Sequence, residues 1–130
     1  MPERGGQLTW IPWDHNMALA HYPMGSLSLG MDEIGDEWPL IRLLLDDVSY
    51  AAAYRQELAA AVTGPFALQA FADRALQLQA LIAPHVEAEQ TPYTQLESIE
   101  AFEQSVGGPE GLVEHASARH QAVQAFLAQK

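Results

Sequence analysis

The chain has 130 residues, 48% of them hydrophobic, which suits one domain built around one core. It carries 6 Lys and Arg against 17 Asp and Glu, a net charge of −11, and such a surface repels DNA, RNA and anionic lipid, which need cations to replace phosphate counterions. The absence of cysteine excludes a disulfide framework, a thiolate nucleophile and a Cys-type zinc site, and no apolar run approaches the roughly 20 residues that span a bilayer.

The opening "MPERGGQLTW" lacks the basic-then-apolar order of a signal peptide, so the chain is expected to be soluble as it stands, with its localisation open. Up to Glu37, Gly5, Gly6, Pro12, Pro23, Gly25, Gly30 and Gly35 recur too often for a long helix. Within this irregular arm, residues 1–38, "LTWI" is the best strand candidate, being apolar, aromatic and β-branched. Residues 20–38 read as a long loop with acids at Asp32, Glu33, Asp36 and Glu37. That cluster lacks the order of an EF-hand and is expected to be a solvated loop.

Helical signals dominate residues 39–130. "EWPLIRLLLDD" predicts a short helix with Pro39 in its first turn, where the missing N–H costs nothing. Asp46 or Asp47 can cap the next helix, whose apolar face runs Tyr50, Tyr54, Leu58, Ala61 and Val62. "TGP" at 63–65 then predicts a break and a new start, with Thr63 or Gly64 at the cap and Pro65 at the first position. In the third helix Leu68, Phe71, Ala75, Leu78 and Ile82 form one stripe, flanked by Leu76 and Leu81. Gln69, Asp73, Gln77 and Gln79 are expected to face water. Pro84 should kink or end this helix within about a turn, leaving "EAEQTPY" as a loop. Leu96, Ile99, Phe102 and Val106 share a face of a fourth helix closed by Gly107 and Gly108. Pro109 is expected to open the last helix, with Leu112 or Val113, Ala116, His120, Val123 and Leu127 inward. Short connections favour antiparallel neighbours. The fold class is therefore mainly α: a small antiparallel bundle of four to five helices with an irregular arm holding at most a short strand. A lone strand leaves backbone groups without partners, so the arm is disordered, pairs with another chain, or belongs to a sheet whose other strands lie elsewhere.

Asp14 and Asn16 follow the strand candidate at i and i+2, and two oxygen-bearing side chains there can point toward one hard cation such as Mg²⁺. Phosphoryl transfer uses such a group, an Asp at a strand end holding the metal that bridges nucleotide phosphates. The plain alternative is that Asp and Asn are good turn residues. Other chemistry is sparse. "EHASARH" spaces its histidines by five, off one helical face, so His115 is expected to be exposed and His120 partly buried beside Val123. "HVEAE" at 85–89 reads as a solvated helix end, and the serines have no nucleophile-elbow context. Trp10, Trp13 and Trp38 read as core anchors. Arg42 and Arg55 are expected to pair with acids such as Asp46, Asp47 or Glu57.

"IPWDHNMAL", followed by "WPLIRLLLDDVSYAAAYRQEL", resembles the C-terminal part of the CotH family, the spore-coat protein-H-like kinases. That family carries a Pro-Trp-Asp element with Asp or Asn two residues on, then a helical region of the same order. "LIAPHV" and "ARHQAVQAFL" match its closing helices loosely. The resemblance implies an atypical kinase-like fold that binds ATP and metal and phosphorylates protein. It gives Asp14 the metal-holding role, with Asn16 assisting. The chain departs from the family just afterwards, where "ALAHYPMGSLSLG" stands in place of a Phe-Gly-like turn.

A nucleotide site also needs positive charge and backbone donors around the phosphates. The one lysine is Lys130, and there is no Gly-rich phosphate loop and no His-Arg-Asp-like catalytic loop. The expectation is a C-terminal piece of a larger protein, or a degenerate short relative, in which an upstream half supplies the adenine pocket and the catalytic base. Mg²⁺ and ATP are then expected only in a complete CotH-like protein, with no cofactor and no kinase activity for this chain alone. The expected partner is that upstream kinase half or another protein chain, met through the N-terminal arm, and a homodimer is conceivable through the unpaired strand. The alternative is a non-catalytic acidic helical module that binds a basic protein partner.

Overall fold

The computed structural model describes residues 11–13, 19, 28–90, 92–94 and 96–129. Among these residues the elements are five helices and no strand: α1 (Pro39–Asp46), α2 (Val48–Thr63), α3 (Leu68–Glu87), α4 (Ile99–Gly107) and α5 (Leu112–Ala128). The mainly helical bundle read from the sequence is the fold observed. The strand candidate at 8–11 lies outside the described residues but for Ile11, which is exposed and extended into no ladder.

Local chemistry accounts for most of the boundaries. Pro39 sits in the first turn of α1. Asp47 caps α2, its carboxylate accepting from the backbone N–H groups of Ser49 and Tyr50 at 2.8 and 3.1 Å. The Ser98 hydroxyl accepts from the Ala101 N–H at 3.0 Å and starts α4. Pro84 is accommodated inside α3, which ends one residue after Val86, within the turn the sequence allows.

Three starts differ from expectation. α4 begins at Ile99, so Leu96 precedes the helix whose face it was expected to share, and Ile99 itself is exposed. Pro65 does not open α3. Gly64 closes α2 instead, and the Phe66 N–H returns to the Ala61 carbonyl at 2.8 Å, so 64–67 form a turn and the helix begins at Leu68. Phe66 then packs edge-to-face on Phe71, their centroids 5.1 Å apart, a hydrophobic staple across the helix start. Pro109 likewise lies in a turn before α5. The Gly111 N–H donates to the Gly108 carbonyl at 3.0 Å, and Glu110 takes φ 60°. Pro at the second position and positive φ at the third follow the pattern of a type II turn. The Glu110 N–H donates to the Glu114 carboxylate at 2.7 Å, which satisfies a donor that the turn leaves over.

α5 is the hub, touching α2, α3 and α4, whereas the substantial helix contact of α1 is with α2. α2 and α5 run antiparallel. Arg55 in the middle of α2 reaches the end of α5, and Val62 near the end of α2 meets His120 in the middle of α5. The buried apolar side chains among the described residues are Val62, Val106, Ala116 and Val123, one from each of α2 and α4 and two from α5. Ala116, 1% exposed, is the most enclosed of them. The small size of these residues lets the helices approach closely.

Tyr50 departs from its expected inward place and is exposed, while Tyr54, Leu58, Ala61 and Val62 are at least half-buried. In α3 the first half of the expected stripe is covered as read, with Leu68, Phe71 and Ala75 half-buried, but beyond it the covered line passes to Gln79, Ala83 and Val86, and Leu78 and Ile82 remain substantially exposed. The reason is a polar contact. Gln79, expected in water, donates through Nε2 to the Phe102 and Glu103 carbonyls of α4 at 2.7 and 3.2 Å. Small alanines on either side leave room for it.

Candidate functional site

Asp14 and Asn16, the two oxygen donors that the sequence singles out, lie outside the described residues. Their immediate neighbours Ile11, Pro12 and Trp13 are exposed, and Trp13 keeps 85% of its surface, so it is not the core anchor expected of it. Trp38 is also more exposed than covered.

Residues 28–37 form a knot of local hydrogen bonds. The Glu33 carboxylate accepts from the Ser28 backbone N–H at 3.0 Å and from the Ser28 hydroxyl at 2.8 Å. That hydroxyl accepts in turn from the Asp32 N–H at 3.0 Å. Backbone donation to Glu33, then these Ser28 contacts, hold its carboxyl below the usual carboxylate range. Glu37 turns back on the Gly35 N–H at 3.1 Å. Met31 adopts φ 52°, and its carbonyl accepts from Arg42 Nη1 at 3.0 Å, which fastens the loop to α1. The Glu33 and Glu37 carboxylates are therefore engaged locally. Among the described residues no three His, Cys, Asp or Glu side chains converge as a metal cluster would.

The arginines are partly committed. Arg42 pairs with Asp46 at 2.8 Å, as expected, although Asp46 is exposed and the pair adds little stability. Arg55 does not pair with an acid. Its Nη2 alone reaches the Phe126, Leu127 and Gln129 carbonyls at 3.1, 3.0 and 2.7 Å, and its guanidinium lies 4.6 Å from the centre of the Phe126 ring. The last carbonyls of a helix carry partial negative charge and lack intrahelical donors, so the cation both caps α5 and binds it to α2. Tyr54 meets Phe126 edge-on at 6.3 Å, and burial raises its phenol above the ordinary value, against the opposing charge of Arg119. His120 Nε2 lies 3.2 Å from the Val62 carbonyl and is half-buried as expected. His115 is half-buried rather than exposed, beside Arg119 in a small recess with Leu58 and Val123.

An apolar groove of about 430 Å³ lies between α3 and α4, lined by Phe71, Arg74, Leu78, Ile82 and Phe102. It brings together no nucleophile and base, and no cluster of cations for phosphate. Sequence reasoning did not find the structural roles of Gln79 and Arg55. A glutamine set among alanines on one helical line is the signal that was available for the first.

This arrangement defines a helical scaffold whose described part holds no self-contained catalytic constellation. The chain matches the family model described as CotH kinase protein over residues 2–123, and it belongs to that family. The matched stretch takes in Asp14, Asn16, all of α1 to α4 and most of α5. No curated protein and no solved structure matches the chain. Among the described residues no helix is long and apolar enough to cross a membrane.

Proposed function

We propose that the chain acts as the helical C-terminal subdomain of a CotH-type protein kinase, supporting the active site and contributing Asp14 to its metal, with Asn16 assisting. The observation that carries this reading is the family match running through both the Pro-Trp-Asp segment and the helices behind it. The donor set fits a hard cation: a carboxylate and an amide oxygen two residues apart suit Mg²⁺. A triphosphate is not fitted by what is present. Lys130 is the single lysine, Arg42 and Arg55 are held by carbonyl groups and Asp46, and Arg74 and Arg119 line separate recesses. The phosphate-binding cations and the catalytic base then come from outside this chain's helices, and no phosphoryl-transfer step is assigned to them. The exposure of Ile11 and Trp13 supports the same reading, since apolar residues beside the metal-holding Asp are those another body of the kinase would cover.

Two measurements test it. Calorimetry on this chain with ATP and Mg²⁺ is expected to show no tight binding, and micromolar binding would overturn the division of labour. A chimaera in which this chain replaces the matching segment of a longer CotH kinase is expected to phosphorylate protein. Asp14→Ala in that chimaera should lose at least about a hundredfold in rate, the order expected when transition-state charge loses its metal. Full activity of that variant would remove Asp14 from the metal site.

A further inference from the structure

α1 has apolar side chains on two sides. Ile41 and Leu45 are half-buried and face the body of the protein. Leu40 and Leu43 are 65% and 69% exposed, and with Leu44 they fall at spacings of three and four on an adjoining, outward side. Trp38 before the helix and Val48 after it, 84% exposed, extend the apolar stretch at both ends. α2 is the main helix neighbour of α1, so this outer side has no comparable cover among the described elements. Scattered exposed leucines need no explanation, but three on one short helix, flanked by exposed Trp38 and Val48, mark a contact surface.

The charges around it select the occupant. Asp36 and Glu37 are exposed just before α1, and Asp46 and Asp47 just after it. The cation within the helix, Arg42, is already turned onto Asp46 and the Met31 carbonyl. An eight-residue helix is about 12 Å long, so the apolar side lies between two acidic ends about that far apart. A second copy of this chain would bring acidic ends against acidic ends at a net charge of −11 each. Anionic lipid is repelled on the same ground.

We infer that the outer side of α1 docks a cationic amphipathic helix of another polypeptide. Its apolar residues would recur at three and four, and its Lys or Arg side chains would flank them at about the separation of the two acidic ends. This is the helix-against-apolar-face mode of recognition, with charge setting orientation and encounter rate. The inference does not depend on the metal role of Asp14.

The test uses the full chain, isotopically labelled for amide NMR, and a synthetic leucine–lysine amphipathic peptide as probe. Shift changes are expected to concentrate at residues 38–50. Leu43→Ser should weaken binding at least tenfold, and its helicity by circular dichroism should match the parent because Leu43 is exposed. Leu81→Ser, on the exposed side of α3, should leave the affinity unchanged, and a glutamate-for-lysine peptide should not bind. Absence of binding overturns the inference. So do shifts spread over the whole acidic surface, or equal weakening by Leu81→Ser, either of which reduces the effect to net charge. A concentration-dependent dimer abolished by Leu43→Ser would give the face to a second copy, and binding of phosphatidylcholine vesicles through α1 would give it to a membrane. Either result overturns the assignment.

Discussion

The two ends of the bundle use similar residues in opposite ways. Around α5, small side chains are enclosed and polar groups reach across helices: Val106, Ala116 and Val123 are buried, and Arg55 and Gln79 bind carbonyls of other helices. Around α1, larger apolar side chains stand exposed, and polar contacts are mostly local, as in the Ser28–Glu33 and Arg42–Asp46 pairs. The difference shows that apolar content alone does not place a residue inside. Burial here follows from how many helices converge on a position, and α5 meets three others.

Substitutions at the hub should therefore be costly and substitutions on α1 nearly free. The largest effect is expected from Ala116→Asp, which places an unpaired charge where 1% of the surface is open. A loss of about 4 kcal/mol or more is expected for an uncompensated buried charge, comparable to the whole stability of a small domain. Urea denaturation should find the variant largely unfolded in water. A parent-like midpoint would mean that α5 is not the centre of packing.

Arg55→Ala comes next. It removes a guanidinium from three carbonyls at the end of α5 and from the Phe126 ring. Charge-assisted hydrogen bonds of this kind are worth about 1.5–3 kcal/mol, and partial exposure of the site places the expected loss near about 1.5 kcal/mol. Arg55→Lys should recover less than half of it, because an ammonium does not lay a flat face on the Phe126 ring. Chemical denaturation of the pair measures both numbers, and full rescue by lysine would show that charge alone was acting.

Asp47→Ala should cost about 1 kcal/mol through the lost cap on the Ser49 and Tyr50 N–H groups. It sits at the junction between the two regions, and its effect should be confined to the start of α2. Amide hydrogen exchange is expected to quicken there and to be unchanged in α5. Uniform acceleration throughout would show that α1, α2 and the hub open together.

Much of this organisation was legible in the sequence. Asp47 as a cap, Pro39 in a first turn and His120 at the inner face of α5 each follow from short-range chemistry, and each is found. Prolines 65 and 109 misled because a proline tolerated at a helix start is equally at home in a turn, and neighbouring Gly64 and Gly108 settled the matter. The shift of the covered line in the second half of α3 was not legible, since a hydrophobic stripe does not reveal that a glutamine will find carbonyls on a helix more than twenty residues away. Of the candidate site, the Asp14 and Asn16 pair was readable as metal-type chemistry and falls in the family-matched stretch, but it lies outside the described residues. The local use of Glu33 was hidden because a cluster of acids looks the same in sequence whether it is solvated or tied to a serine.

Leu43→Ser is expected to have the smallest effect, within about 0.5 kcal/mol, because an exposed side chain away from caps and cores leaves little to lose. The inward Leu45→Ser, two positions on, makes the contrast sharp: the same chemical change on the half-buried side should cost about 1–2 kcal/mol from lost apolar burial. Thermal or urea denaturation of the two variants reads this difference directly. Equal losses would mean that the outer side of α1 is covered within a single chain. The predicted inequality leaves that side energetically idle in the isolated protein, as a surface that binds another polypeptide requires.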